Sequence, residues 1–316
     1  MKIAHQRPEG NHTGRQIGLM GRTSTKALPV WRMKVNESFF LIIFFSCLFF
    51  LSTSYPAPAV PPRRIVSLAP NITEILFDLG LGKQIVAVTT YCDYPREALS
   101  KPKIGGFANP SLEAIVAARP DLVMLTEDGN PQEIEAKLKK LGIRTYVFRA
   151  RSIEELPEAI RQVGLFLEIG KRADKKARTI QEQLDRFQGD TAKRSSLKRP
   201  KAIFVIQPEP LIVAGPKTAM DEAMSLLGLN NIAGGAAAHY ARYSLEETLR
   251  QQPQILFVGK SKGMEEDVKK LLKRLRRLDA VENGKVYAIG ETLYRLGPRI
   301  ITGLNEMKAA VDQSGL

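Results

Sequence analysis

Six aromatic side chains, Tyr91, Tyr94, Phe107, Tyr240, Tyr243 and Tyr294, fall in stretches that follow short apolar runs. Pro70, Asn71, Asp93, Asn130, Glu291 and Arg295 lie in the same kind of stretch, and Arg299 follows just after the last of them. Flat apolar faces with a few polar groups between them are the chemistry of holding a ligand, not of breaking a bond. Each ring alone reads equally as a ligand contact or as core packing or a rim contact; the cluster favours a ligand surface, because binding groups concentrate on loops. Arg295 and Arg299 offer planar donor forks for ligand carboxylates or phosphate, or equally a surface ion pair or a capping role. Glu291 offers an acceptor. His239 is a weak metal-ligand candidate, since a single His is more often an ordinary polar loop residue.

Other chemistries find little support. The three histidines, His5, His12 and His239, show no metal-ligand spacing, and two cysteines cannot build a Cys-rich zinc site. The first strand-helix turn reads Leu68-Ala69-Pro70-Asn71 instead of a Gly-rich dinucleotide or phosphate loop. No serine nucleophile elbow or His-based dyad is visible. The chain carries 47 basic and 33 acidic groups. The basic runs Lys171–Arg178 and Lys269–Arg277 read as solvated helix faces, with no aromatic interleaving to suggest nucleic acid.

The elements that must position these residues alternate. Ile65–Leu68, Ile85–Thr90, Leu122–Leu125 and Thr145–Phe148 read as buried strands, with helices at Ile72–Leu79, Leu112–Ala118 and Gln132–Lys140 between them. Near-continuous apolar strands separated by helices predict parallel α/β architecture. Ile153–Ile169 reads helical, opened by a Ser152/Glu155 capping box. Residues 171–195 follow, with Ala173, Ala177, Ile180, Leu184 and Phe187 forming one apolar stripe. Strands resume at Ala202–Ile206, Leu211–Ala214, Ile255–Val258 and Val286–Ile289, with helices at Thr218–Leu227, Leu245–Gln251, Glu265–Arg276 and Arg299–Val311. Two α/β halves thus flank one long helix. An internal echo supports the pairing: Ser111-Leu112-Glu113 and Ser244-Leu245-Glu246 each precede a proline (Pro120, Pro253) and then a strand. In both copies Ser suits an N-cap and Glu the first helical turn.

Ahead of these halves, Phe39–Leu51 is an uncharged apolar run preceded by Arg32 and Lys34 and followed by Ala57-Pro58-Ala59. That is the pattern of a signal peptide cleaved after Ala59, too short for a spanning helix. Translation is expected to begin at Met33, and no lipid anchor is expected at Cys47, since Phe44-Phe45-Ser46 precedes it. The expected division is a leader at 1–59, a first lobe at 60–150, a helical connector at 151–196 and a second lobe at 197–316. The exported chain keeps Cys92 alone, read as a small buried filler.

RIVSLAPNITEILFDLG (Arg64–Gly80), VAVTTYCDYP (Val86–Pro95), KIGGFANPSLEAIVAARPDLV (Lys103–Val123) and GPRI (Gly297–Ile300) resemble the periplasmic solute-binding proteins of cobalamin and ferric-siderophore ABC importers, the cobalamin branch most. The resemblance implies class III architecture: two Rossmann-like lobes with central parallel sheets, joined by a single long helix, with the ligand in the cleft between them. It implies an exported, non-catalytic, monomeric receptor with no resident cofactor. Its partners would be a permease and, indirectly, an ATPase, and its ligand a corrinoid, heme or ferric chelate. Tyr91, Phe107 and Tyr240 fall at or near aromatic positions of the cobalamin branch, whereas Thr126 and Thr292 stand where that branch carries tryptophan. Glu113 and Glu246 match the pair of acidic side chains, one per lobe, that face permease arginines in this family; helix-dipole complementarity is the other reading of both. An exported enzyme or a sensory module are the rival classes.

Overall fold

The computed structural model describes residues 62–127, 129–194, 199–260 and 263–316. The leader, its cleavage site, Met33, Cys47 and the last two residues of the predicted connector lie outside them. Val60–Leu316 forms one compact unit.

The first half opens with β1 (Ile65–Ser67), α1 (Pro70–Asp78), β2 (Ile85–Val88), α2 (Leu112–Ala117), β3 (Leu122–Thr126), α3 (Gln132–Lys140) and β4 (Thr145–Phe148). Its four strands pair in the order β2-β1-β3-β4, all parallel. Every residue of β3 is buried, as a central parallel strand covered on both faces requires. Leu122 and Met124 join one core cluster while Val123 and Leu125 join another, the period-two division that a pleated strand imposes.

The chain then passes to the second half through α4 (Leu156–Phe166) and α5 (Gly170–Arg194). At 1.5 Å per residue α5 is about 37 Å long. Ala173, Ala177, Ile180, Leu184 and Phe187 are all buried, so the stripe read from the sequence is the packed face. It joins a cluster that runs from Ile65 and Phe148 in the first half to Phe204, Met220 and Ile300 in the second. Lys176 Nζ reaches Asp78 at 2.9 Å, and Arg172 donates to the Leu79 carbonyl at 2.5 Å, pinning α5 to the end of α1. The capping box works one turn early. Ser152 Oγ accepts from Glu155 N at 3.1 Å and Glu155 Oε2 accepts from Arg151 N at 2.8 Å, closing a turn, so that α4 starts at Leu156 with Pro157 in its first turn.

The second half contains β5 (Lys201–Pro208), β6 (Leu211–Ala214), α6 (Ala219–Leu226), β7 (Asn230–Asn231), β8 (Tyr240–Arg242), α7 (Leu245–Gln251), β9 (Ile255–Gly259), α8 (Glu265–Arg274), α9 (Asp279–Glu282), β10 (Val286–Ile289) and α10 (Ile300–Ser314). Its sheet runs β10-β9-β5-β6-β8, with β7 beside the start of β5. Here the expectation of parallel sheets needs correction. β9 pairs in parallel with β5 and β10, but β6 is antiparallel to both β5 and β8. Only Glu209-Pro210 separates β5 from β6, and a two-residue connection can join only antiparallel strands. Tyr240–Arg242, outside every strand expected from the sequence, forms the edge strand β8.

The internal echo is structural. Ser111 Oγ accepts from Ala114 N at 3.2 Å at the start of α2, and Ser244 Oγ accepts from Glu247 N at 3.0 Å at the start of α7. Each helix then leads into a fully buried strand, β3 or β9.

Candidate functional site

The carboxyl ends of both sheets border a cavity of about 690 Å³, the place where α/β sheets expose loops rather than helices. The first half supplies Pro70 and Asn71 from the start of α1, Tyr91 after β2, Phe107, and Thr126 at the end of β3. The second half supplies Tyr240, Glu291, Tyr294 and Arg295, with Met220 and Met264 as soft walls. Tyr91 and Tyr240 are 60% and 50% exposed. Aromatic rings therefore enter the cavity from both halves.

Buried polar contacts hold these rings in place. Asn130 Oδ1 accepts from Thr126 N at 2.8 Å, while its Nδ2 donates to the carbonyls of Leu68 at 2.9 Å and Phe107 at 2.8 Å. All three groups of this amide are engaged, and Asn130 is buried. It is a brace between three loops and does not line the cavity, which corrects its reading as a ligand contact. Gly129 makes room beside it: at φ +101°, a Cβ there would stand 2.2 Å from the Phe107 ring. Tyr294 donates its hydroxyl to the Lys260 carbonyl at 2.9 Å. Burial and the Glu291 charge push that phenol up to about 12, so it remains a donor. Cys92 is buried, its Sγ 3.1 Å from the hydroxyls of both Thr73 and Thr89, which agrees with a packed filler.

Charges cross between the halves on one side of the cavity. Glu74, on α1, is 3% exposed. Its carboxylate accepts from Arg299 Nε at 3.0 Å and Nη2 at 2.5 Å, a bidentate pair between residues 225 positions apart. The Arg299 guanidinium also lies over the Tyr94 ring, 3.9 Å from its centroid, a cation–π arrangement. Arg295 bonds Asp93 at 2.6 Å, pairs with Glu291, and sits 3.5 Å from Glu74. Burial works against the charged form of Asp93, but the hydrogen bond and charge of Arg295 outweigh it and hold that carboxyl below its ordinary value. Sequence reasoning missed Glu74, whose place mid-helix in an apolar run hid its partner in the distant Gly297–Ile300 segment.

Seven of the twelve ligand candidates line the cavity: Pro70, Asn71, Tyr91, Phe107, Tyr240, Glu291 and Arg295. Five do not. Asp93, Tyr94 and Arg299 belong to the ion-pair array beside it, and Asn130 is the brace. Tyr243 packs into the second half's outer core and donates to the Ile232 carbonyl at 3.1 Å, because β8 turns it to the sheet face away from Tyr240's surroundings. His239 is exposed, with Nδ1 2.9 Å from the Pro216 carbonyl, and does not line the cavity. Among the described residues no group of three or more His, Cys, Asp or Glu gathers as a metal cage. Met220, Met264, Ile206 and Leu296 complete the walls; their spacing resembles ordinary core pattern, so nothing in the sequence set them apart.

Glu113 and Glu246 are both exposed, each at the second position of its helix, α2 or α7. The backbone N–H of Glu113 and the Ser111 hydroxyl, 3.0 Å away, hold the Glu113 carboxyl below its ordinary value. Both glutamates face solvent, one on each half.

The periplasmic binding protein family matches residues 65–293, and both sheets lie within that span. This chain belongs to the periplasmic binding protein family. Among its relatives is a vitamin B12-binding protein of Vibrio parahaemolyticus, 28% identical over 248 residues, which cover 78% of this chain and 88% of that one. A vitamin B12-binding protein of Pectobacterium atrosepticum is 30% identical over 63% of this chain and 72% of its own. Of solved structures, the periplasmic vitamin B12-binding protein of Vibrio cholerae superimposes with a TM-score of 0.69 at 27% identity, covering 81% of this chain and 98% of that one. A periplasmic heme-binding protein from Roseiflexus, in its apo form, gives 0.72 at 28% identity, covering 80% of this chain and 99% of that one. The family's two-lobed α/β architecture is the one described above.

Proposed function

We propose that this chain is an exported receptor of an ABC importer that captures cobalamin or a related corrinoid between its lobes and delivers it to a permease. The observation that carries the reading is the cavity of about 690 Å³ faced by aromatic rings from both halves. A corrin is a broad, mostly apolar disc with polar amides at its rim. Tyr91 and Phe107 on one side and Tyr240 and Tyr294 on the other suit the disc, while Asn71, Glu291 and Arg295 suit the rim. Binding here makes and breaks no covalent bond. The vitamin B12-binding relatives support the same choice. The leader pattern in residues 32–59 supports export to the periplasm.

Glu113 and Glu246 serve as the two docking charges. Rim charges of this kind orient a complex and set its encounter rate more than they stabilise a fold.

Heme is the second reading. Tyr91 and Tyr240 stand half exposed at the cavity, and a phenol oxygen is a known ligand type for heme iron. Titrating residues 60–316, the compact unit, with cobalamin, cobinamide, heme and a ferric chelate separates the two by calorimetry and visible absorption. Tightest binding of a corrinoid supports the first reading, and preference for heme with a shifted absorption band supports the second. Absence of binding to all four refutes both. The single tryptophan is Trp31, so residues 60–316 offer no indole fluorescence and the ligand's own colour is the signal.

A further inference from the structure

The two helices that carry Glu113 and Glu246 are moored alike at their far ends. Arg64, the residue before β1, donates from Nη2 to the Ala118 carbonyl at 2.7 Å and from Nε to the Arg119 carbonyl at 2.9 Å. Lys201, the first residue of β5, donates from Nζ to the Gln251 carbonyl at 2.9 Å. Ala118 and Gln251 each stand five residues after their glutamate. The backbones interlock as well. Asp121 N donates to the Arg64 carbonyl at 3.0 Å, and Gln254 N to the Lys201 carbonyl at 2.8 Å. In return the Asp121 carboxylate accepts from Arg64 N at 3.0 Å, and Gln254 Oε1 from Lys201 N at 3.2 Å. The internal echo thus extends to contacts that its two copies make with different side chains.

These moorings answer a local weakness. α2 has six residues and α7 seven, and helices this short are marginal on their own. Each is followed within two residues by a left-handed residue other than glycine, Arg119 at φ 46° and Gln252 at φ 49°, a conformation disfavoured once a side chain is present. A cation at this end satisfies the last carbonyls and complements the negative end of the helix dipole. Arg64 is exposed and Lys201 half-buried, and neither lines the interlobe cavity. The strands they lead do reach it: Pro70 follows β1 and Ile206 lies in β5, and both are in its wall. Glutamate, helix and strand therefore form one stiff piece in each half.

We infer that Arg64 and Lys201 are positioning residues for docking: by mooring α2 and α7 to an interior strand of each sheet, they fix where Glu113 and Glu246 stand. The inference rests on the docking role given to the glutamates above and adds the residues that hold them. Without the cation the helix end frays, and the glutamate must be ordered again when the partner binds, which lowers affinity.

Docking of residues 60–316 to the purified permease–ATPase complex of the same host, read by surface plasmon resonance, tests this. Arg64→Met and Lys201→Met, which keep an apolar stem and drop the donors, should each weaken docking about fivefold. Arg64→Lys, which keeps a donor, should recover most of that loss. In the Glu113→Ala/Glu246→Ala background the same two methionine substitutions should change docking by less than about twofold, because they act through the glutamates. Hydrogen exchange should quicken at residues 117–119 in Arg64→Met and at 250–252 in Lys201→Met, and stay unchanged in the buried strands β3 and β9. Unchanged docking, unchanged exchange at the helix ends, or equal losses with and without the glutamates overturns the inference while the docking role stands. Docking unmoved by the loss of both glutamates overturns the docking role itself.

Discussion

Replacing Arg299 by methionine strands the carboxylate of Glu74. That side chain is 2% exposed and Arg299 is 25% exposed, so the pair is largely out of water. Removing one member of a buried pair costs ~3–5 kcal/mol, because the survivor keeps its desolvation and loses its partner. Arg295 stays 3.5 Å from Glu74, which places the loss near the lower end. At roughly 2–4 °C per kcal/mol for a domain of this size, the melting temperature should fall by about 6–12 °C. Differential scanning calorimetry reads this directly. Glu74→Met alone should cost a similar amount, since it strands the guanidinium. The double variant Glu74→Met/Arg299→Met removes both charges and replaces them with flexible apolar chains, so it should recover most of the loss. Strictly additive losses, or a fall below about 3 °C in Arg299→Met, would refute the idea that this contact is a desolvated tie between halves.

Further expectations concern the docking charges, the brace and the array. Glu113→Ala/Glu246→Ala should leave ligand affinity within twofold by calorimetry, while uptake in a transport assay falls steeply; unchanged uptake contradicts the docking role. Asn130→Ala should lower stability by ~1–3 kcal/mol in urea unfolding, because it orphans buried backbone groups, and should weaken ligand binding through displacement of Phe107. Asp93 has a depressed folded-state pKa, so its contribution is present above its unfolded value and is lost as pH falls through the lower folded one. It is 57% exposed, which limits it to below about 1 kcal/mol. Stability should thus be flat in this respect from pH 8 to 5 and decline below about pH 4, and Asp93→Asn should shallow that acid limb. Glu222→Ala should destabilise, because its carboxylate accepts from the backbone N–H groups of Ile153 at 2.5 Å and Glu154 at 2.8 Å, joining α6 to the connector.

Periodicity revealed those elements whose burial is simple. The α5 stripe from Ala173 to Phe187 and the doubly covered strands β3 and β9 are apolar at the spacing their environment demands, so local pattern and tertiary packing agree. The paired Ser-Leu-Glu starts were legible because an N-cap is a contact within four residues. What stayed hidden depends on partners distant in sequence. Antiparallel β6 reads as an apolar run like any other, with only the two-residue turn at Glu209-Pro210 to carry its direction, and β8, Tyr240–Arg242, has no apolar run to mark it. Asn130 reads as one more polar loop residue; two of its three hydrogen bonds reach back 62 and 23 positions. Arg295 and Arg299 were legible as recognition groups, but the choice between a ligand and an internal acid rests on Glu74, which no spacing rule connects to them. The aromatic cluster was readable as a set with two exceptions: Tyr94 lies under Arg299 beside the cavity, and strand alternation at β8 turned Tyr243 toward a different core.

The three-way clasp made by Asn130 has a bearing on how such a receptor can be retargeted. One amide fixes the tail of β1, the turn bearing Phe107 and the exit of β3, so those pieces of chain form one mechanical part. Grafting a single foreign segment there would leave the amide mismatched to its old neighbours. A change of cargo through this wall calls for exchanging the trio together, whereas Tyr240, on an edge strand outside the clasp, can vary alone.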